Sequence, residues 1–189
     1  MPDLQQARCE RKKAVPDMRN NHEGKEISLT LPMFVVIPRK RTADKRFWVN
    51  LNVYRNAHYQ VLDDAKKLYA GEVMAALAAS GARTGSRLAS PVEMDYVIYA
   101  KDRRTFDIGN VLSIVQKFTE DALVSLKILE EDDYNHVYRV THTFGGIDRD
   151  RPRVELRIRE THDPEREARL ASEGKVAKAR AGARRSGPR

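Results

Sequence analysis

Six side chains between residues 107 and 133 have the types and spacing that could do chemistry: Asp107, Asn110, Lys117, Asp121, Asp132 and Asp133. A helix beginning near Ile108 or Gly109 places Asn110, Ser113, Lys117 and Asp121 on one polar stripe, because residues three and four apart share a face. A helix used only for packing more often shows several Glu and Lys there than one Asn, one Lys and one Asp in register. Asp107 stands where an N-cap residue belongs, so it either caps the first free amides or serves as a ligand. Asp132 and Asp133 close the Glu-Glu-Asp-Asp run that leaves the helix, which is either a solvated turn or a site whose mutual repulsion a divalent cation relieves. Asp107, Asp121 and Asp132 or Asp133 are thus expected to converge at the two ends and one face of a single element. All are hard oxygen donors with no His or Cys cluster beside them, which suits Mg2+ or Mn2+ rather than zinc.

Basic residues flank these acids. Lys101, Arg103 and Arg104 come just before Asp107, where they either hold a phosphodiester against a metal ion or pair with Asp102 in a turn. Arg39-Lys40-Arg41, followed by Lys45-Arg46, lies between two strand-like segments and is either a hairpin tip kept soluble by charge or a phosphate-binding edge. His58 opens a long helical pattern, with a structural role or a phosphate contact as its two readings.

Other elements must position these side chains. Val111, Val115, Phe118, Ala122 and Leu126 form the apolar stripe that seats the acidic helix on a core. Strand patterns fall at 27–31, 34–37, 47–54, 92–99, 136–144 and 153–159, and the last two are expected to be joined by residues 145–152 as a long hairpin connection. Leu62, Ala65, Leu68, Tyr69, Val73, Ala76 and Leu77 recur at helical spacing up to a stop at Gly81. That Ala-rich face packs either on the sheet or against a second copy. The order of elements predicts an α+β domain with a mixed β-sheet and two principal helices.

The formal charge of +8 sits in the tails. Residues 174–189 carry six bases and no acid, residues 1–25 carry six bases against four acids, and the middle is balanced. Three parts follow: a disordered arm over 1–25, one domain over 26–160, and a charged, disordered or loosely helical basic tail over 161–189. Such tails either bind phosphate backbone or merely solubilise. No apolar run approaches the ~18 residues needed to span a bilayer, and the single cysteine, Cys9, excludes an internal disulfide and a cysteine-based metal site. A cytoplasmic protein with no membrane partner is expected.

Arg103-Arg104, Asp107 with Asn110, the segment Lys117-Phe-Thr-Glu-Asp121-Ala-Leu123 and the pair Asp132-Asp133 together resemble the RusA-like Holliday-junction resolvases, including versions carried by phages. The resemblance is most specific over 101–134 and extends loosely over 26–160. The family pattern is usually Asp-x-Asp-Asn, whereas Asp107-Ile-Gly109-Asn110 has glycine where the family has a metal-binding carboxylate. The Asn-to-Lys spacing is also about one helical turn longer, which keeps Lys117 on the same face. The resemblance implies a homodimer that binds branched DNA, in particular four-way junctions, and hydrolyses opposed phosphodiesters with Mg2+ in a bacterial cell or phage-infected host. It implies Asp107, Lys117 and Asp133 as catalytic residues, with Lys117 offsetting charge on the phosphoryl oxygens. Asp107, Asn110, Asp121, Asp132 and Asp133 would hold metal, and Arg39, Lys40, Arg41, Lys101, Arg103 and Arg104 would contact DNA. No small-molecule organic cofactor is implied. The competing readings are a non-catalytic basic nucleic-acid-binding protein and a structural protein whose acids cap and solubilise.

Overall fold

The computed structural model describes residues 25–82, 87–89 and 91–161. The expected arm over 1–25 and basic tail over 161–189 lie outside the described residues, apart from Lys25 and Thr161.

Strand β4 (Val92–Ala100) organises a four-stranded mixed sheet. Val92, Met94, Tyr96, Ile98 and Ala100 are buried, while Glu93, Asp95, Val97 and Tyr99 occupy the opposite face, as the two-residue period of a strand requires. On one side β5 (Val137–Ile147) runs parallel to β4. On the other, β6 (Arg153–Glu160) runs antiparallel, with β1 (Glu26–Leu31) antiparallel beyond it. The order is therefore β1-β6-β4-β5.

This corrects the expected hairpin over 145–152, since β5 and β6 are separated by β4. Gly145 and Gly146 belong to β5, and the following turn passes the end of β4, where the Asp148 amide donates to the Ala100 carbonyl at 2.8 Å. Gly145 sits at a register shift in the β4–β5 pairing. A Cβ there would meet Val97 at 2.6 Å and the Tyr99 ring at 2.8 Å, so glycine lets these β4 side chains lie across the neighbouring strand.

A separate two-stranded ribbon pairs β2 (Phe34–Ile37) with β3 (Lys45–Trp48). The strand expected over 47–54 stops at Trp48, because Asn50 caps a short helix, α1 (Leu51–Asn56), its side chain accepting from the Val53 amide at 2.9 Å. A good N-cap overrides the strand-forming Val53 and Tyr54.

Helix α2 (Tyr59–Ala79) is capped by His58, whose Nδ1 accepts from the Gln60 amide, and is followed by Gly81 at φ +79. The structural reading of His58 is thus accounted for. Ala65, Tyr69, Val73 and Leu77 are fully buried. Those four join the chain's own core against β1, β2 and the second long helix, α3 (Ile108–Ser125), with Leu62, Leu68 and Ala76 of the same face partly buried against it.

Helix α3 packs against α2, α1 and the strands β4 and β5, which makes its buried face wider than the expected stripe: Leu112, Ile114, Thr119, Glu120 and Leu123 join Val115, Phe118 and Ala122, while Val111 and Leu126 are only partly covered. Phe118 is its aromatic hub, with ring centroids 5.7 Å from Tyr69, 6.1 Å from Tyr54 and 6.5 Å from Phe47. The helix ends at Ser125, short of the acids, through a left-handed Lys127 (φ 58) and a return bond from the Ile128 amide to the Leu123 carbonyl. Ile128 and Leu129 then bury themselves in the core. Among the described residues no helix is long and apolar enough to cross a membrane.

Candidate functional site

The N-terminal end of α3 is open to solvent. Asp107 Oδ1 accepts from the Gly109 amide at 2.8 Å, so the capping role is real whatever else the carboxylate does. Asn110 Oδ1 accepts from the Leu51 amide at 3.1 Å, which ties α1, and through it the β2–β3 ribbon, to the start of α3. Its side chain is therefore engaged in packing elements together. Lys101, Arg103 and Arg104 are exposed on the segment leading to Asp107. The turn reading holds for one of them: Arg104 donates its amide to Asp102 Oδ1 at 3.0 Å and holds its Nε 3.8 Å from Asp102 Oδ2. Arg39, Lys40 and Arg41 are exposed at the tip of the ribbon, where the Arg39 amide donates to Asp44 at 3.1 Å.

Farther along α3, Asp121 lies between two ammonium groups, with Lys66 Nζ at 3.1 Å and Lys117 Nζ at 3.9 Å. Its charge is offset by these lysines before any metal arrives. Past the helix, Asp133 organises the turn into β5: it accepts from the Asn135 amide at 2.9 Å and the His136 amide at 3.2 Å, and its Oδ1 lies 2.6 Å from His136 Nδ1. The His136 contact, then the Asn135 amide, hold its carboxyl below the ordinary range. Asp132 is exposed beside it.

One protomer does not bring these acids together. Fourteen positions on one helix, at ~1.5 Å of rise each, put Asp121 roughly 20 Å along the axis from Asp107. Asp133 precedes β5 while Phe106, next to Asp107, packs on Phe144 near the far end of that strand, with centroids 6.2 Å apart. Asp107 and Asp133 therefore occupy opposite ends of α3. Among the described residues no three His, Cys, Asp or Glu side chains are grouped to hold a metal ion. Asp107 and Asp133 of one chain are thus not placed to share one ion.

A group that the sequence reading missed lies beneath this surface. Glu120 is 8% exposed, and burial pushes its carboxyl up to about 7; the nearby charges of Asp132 and Asp121 add to that, while a hydrogen bond from Gln116 works against it. Gln116 Nε2 donates to Glu120 Oε1 at 3.0 Å, and Gln116 Oε1 lies 3.0 Å from His142 Nε2 on β5. His142 is pushed down by its own burial. The available signal was a Gln and a Glu four apart beside an apolar stripe, which is also how an exposed polar pair reads. Compared with known proteins, the chain matches no family model and no curated protein. The polar groups open to solvent here are the Asp107 end of α3, the Asp132-Asp133 turn and the cations Lys101, Arg103 and Arg104.

Proposed function

We propose that the protein is a Mg2+-dependent, structure-specific endodeoxyribonuclease of the RusA-like kind, acting as a homodimer on four-way DNA junctions in the cytoplasm of a bacterial cell or phage-infected host. The observation that carries this reading is the exposed N-terminal end of α3, where Lys101, Arg103 and Arg104 lead into Asp107. A helix N-terminus, a carboxylate and three cations together suit a metal-assisted attack on a phosphodiester.

The length of α3 supports the homodimer in this reading. Two copies related by a two-fold axis, with Asp107 of one facing Asp132 and Asp133 of the other, would form two equivalent sites. Those carboxylates would hold Mg2+, which when bound supplies a polarised phosphate and an activated water. Lys101, Arg103 and Arg104 would position the backbone, and Lys117 would offset charge at the phosphoryl oxygens. Two sites on a two-fold dimer match two opposed strands of a two-fold junction.

The second reading, a non-catalytic nucleic-acid-binding protein, is favoured by the structural jobs that Asp107, Asp121 and Asp133 already perform. Incubating the protein with a synthetic four-way junction and with linear duplex, in Mg2+ or in EDTA, separates the two. Mg2+-dependent cuts in the junction support the nuclease; binding without cuts leaves the second reading. Mixed dimers test the shared site. Asp107→Asn and Asp133→Asn proteins should each be inactive alone, and should regain nicking of one strand when co-refolded. No recovery would place both acids of a site in the same chain.

A further inference from the structure

The β2–β3 ribbon presents an outer face that the chain's own core does not cover. Its cross-strand pairs are Phe34 with Trp48 and Val36 with Arg46. Val35, Ile37 and Phe47 on the inner face are buried, whereas Trp48 is 41% and Val36 47% exposed. The Phe34 and Trp48 rings lie 5.1 Å apart, and the Arg46 guanidinium sits 4.5 Å from the Phe34 centroid and 5.8 Å from that of Trp48. This aromatic pair with a guanidinium laid along it keeps a π-face and a positive charge together on the open side of the ribbon.

We propose that this face is a stacking platform for unpaired nucleotides, with Trp48 and Phe34 receiving bases and Arg46 the adjoining phosphate. Charge complementarity selects that occupant: Arg46 lies on this face, Arg39, Lys40 and Arg41 are exposed at the tip of the same ribbon, and Asp44, the one acid in the run 39–46, is occupied by the Arg39 amide. Position also agrees, since three residues beyond Trp48 the Leu51 amide is bonded to Asn110, so a stacked base would lie toward the Asp107 end of α3. The inference rests on the junction reading for its biological partner, because a branch point is where duplex DNA offers unstacked bases. Stacking on an aromatic ring tolerates any base, which suits recognition by structure rather than sequence.

Trp48 is the single tryptophan of the chain, so its emission reports on this patch alone. The test titrates the protein with a short oligothymidylate, with an abasic oligomer of the same length and charge, and with blunt duplex, following Trp48 emission and the anisotropy of a labelled strand. Oligothymidylate should quench Trp48 along the same curve as the anisotropy rise, and the abasic oligomer should bind without quenching. Trp48→Ala should weaken oligothymidylate binding roughly 10-fold, with Trp48→Phe retaining most of the affinity. Equal binding by the abasic oligomer, or no change in Trp48→Ala, overturns the proposal. A concentration-dependent emission shift without DNA, accompanied by a larger species in sedimentation, also overturns it and marks the face as a contact between copies. Junction cleavage in the same samples keeps the two readings apart. Intact cleavage with no quenching removes only the platform, and quenching with no cleavage removes only the nuclease.

Discussion

Replacing Glu120 with Gln should stabilise the protein at neutral and alkaline pH and leave it unchanged in mild acid. Burial raises the Glu120 carboxyl from its ordinary 4.5 to about 7, so the folded chain holds this proton more tightly than the unfolded chain does. The sign follows from that ordering. Below pH 4.5 both states carry the proton and the group costs nothing. Between 4.5 and 7 the unfolded state releases its proton first, so stability falls as pH rises, and above 7 the loss levels off. At about 1.4 kcal/mol for each tenfold change in proton affinity, the full loss is about 3 kcal/mol. Glu120→Gln removes the charge and keeps the shape, and the Gln116 Nε2 donor still meets a carbonyl oxygen in place of Glu120 Oε1. Urea unfolding of both proteins across mild acid to pH 8 reads the difference directly, since every other titrating group cancels. Parallel curves for the two proteins, with no growing gap between pH 4.5 and 7, would refute the assignment of a buried, charge-resisting carboxyl.

Three further outcomes are expected. Lys117→Ala should lower the cleavage rate while junction affinity stays within a few-fold, because Lys117 is half exposed, 3.9 Å from Asp121, and one cation among many; a large loss of affinity at normal turnover would move it to DNA docking. Asp107→Asn should change stability by only a few tenths of a kcal/mol, since Asn caps as well as Asp, so any abolished cleavage measured beside an unchanged melt is chemical rather than structural. A chain cut to residues 25–161 should keep a cooperative melt and lose much of its salt-sensitive DNA affinity; an unchanged salt titration would remove the tails from binding.

The elements that local chemistry dictates were legible in the sequence. The alternation of Val154, Leu156 and Ile158 put β6 on the core, Asp107 marked the start of α3, and Gly81 marked the end of α2. Strand order was not legible, because β5 and β6 alternate in the same way whether they pair with each other or flank β4. Nor was α1, where the Asn50 cap competed with strand-forming side chains over six residues. At the candidate site the residue types were readable but their distances were not: helical periodicity places Asn110, Lys117 and Asp121 on one stripe without counting the rise between them. Glu120 escaped because what lifts its carboxyl is tertiary burial, which depends on α3 packing against both α2 and the strands β4 and β5.

Gly109 is where the chemistry and the architecture of α3 constrain each other. A Cβ at this position would stand 3.3 Å from Asp107 Oδ1, so an acid here would bring its carboxylate toward the one that caps the helix. Two carboxylates that close repel unless a cation lies between them, and a displaced Asp107 would leave the Gly109 amide without its acceptor. With glycine the cap is stable without metal, and this end of α3 carries one negative charge rather than two. A Mg2+ bound there would take its remaining ligands from water, from a substrate phosphate or from a carboxylate outside this turn. Asp121 is roughly 20 Å along the axis and already paired with Lys66 and Lys117, and Asp133 lies at the other end of the helix. Gly109 and the length of α3 thus point the same way: no second carboxylate of this helix lies beside Asp107. We propose that the Asp132-Asp133 turn of a second copy supplies it; a monomeric form should then bind DNA without cutting it.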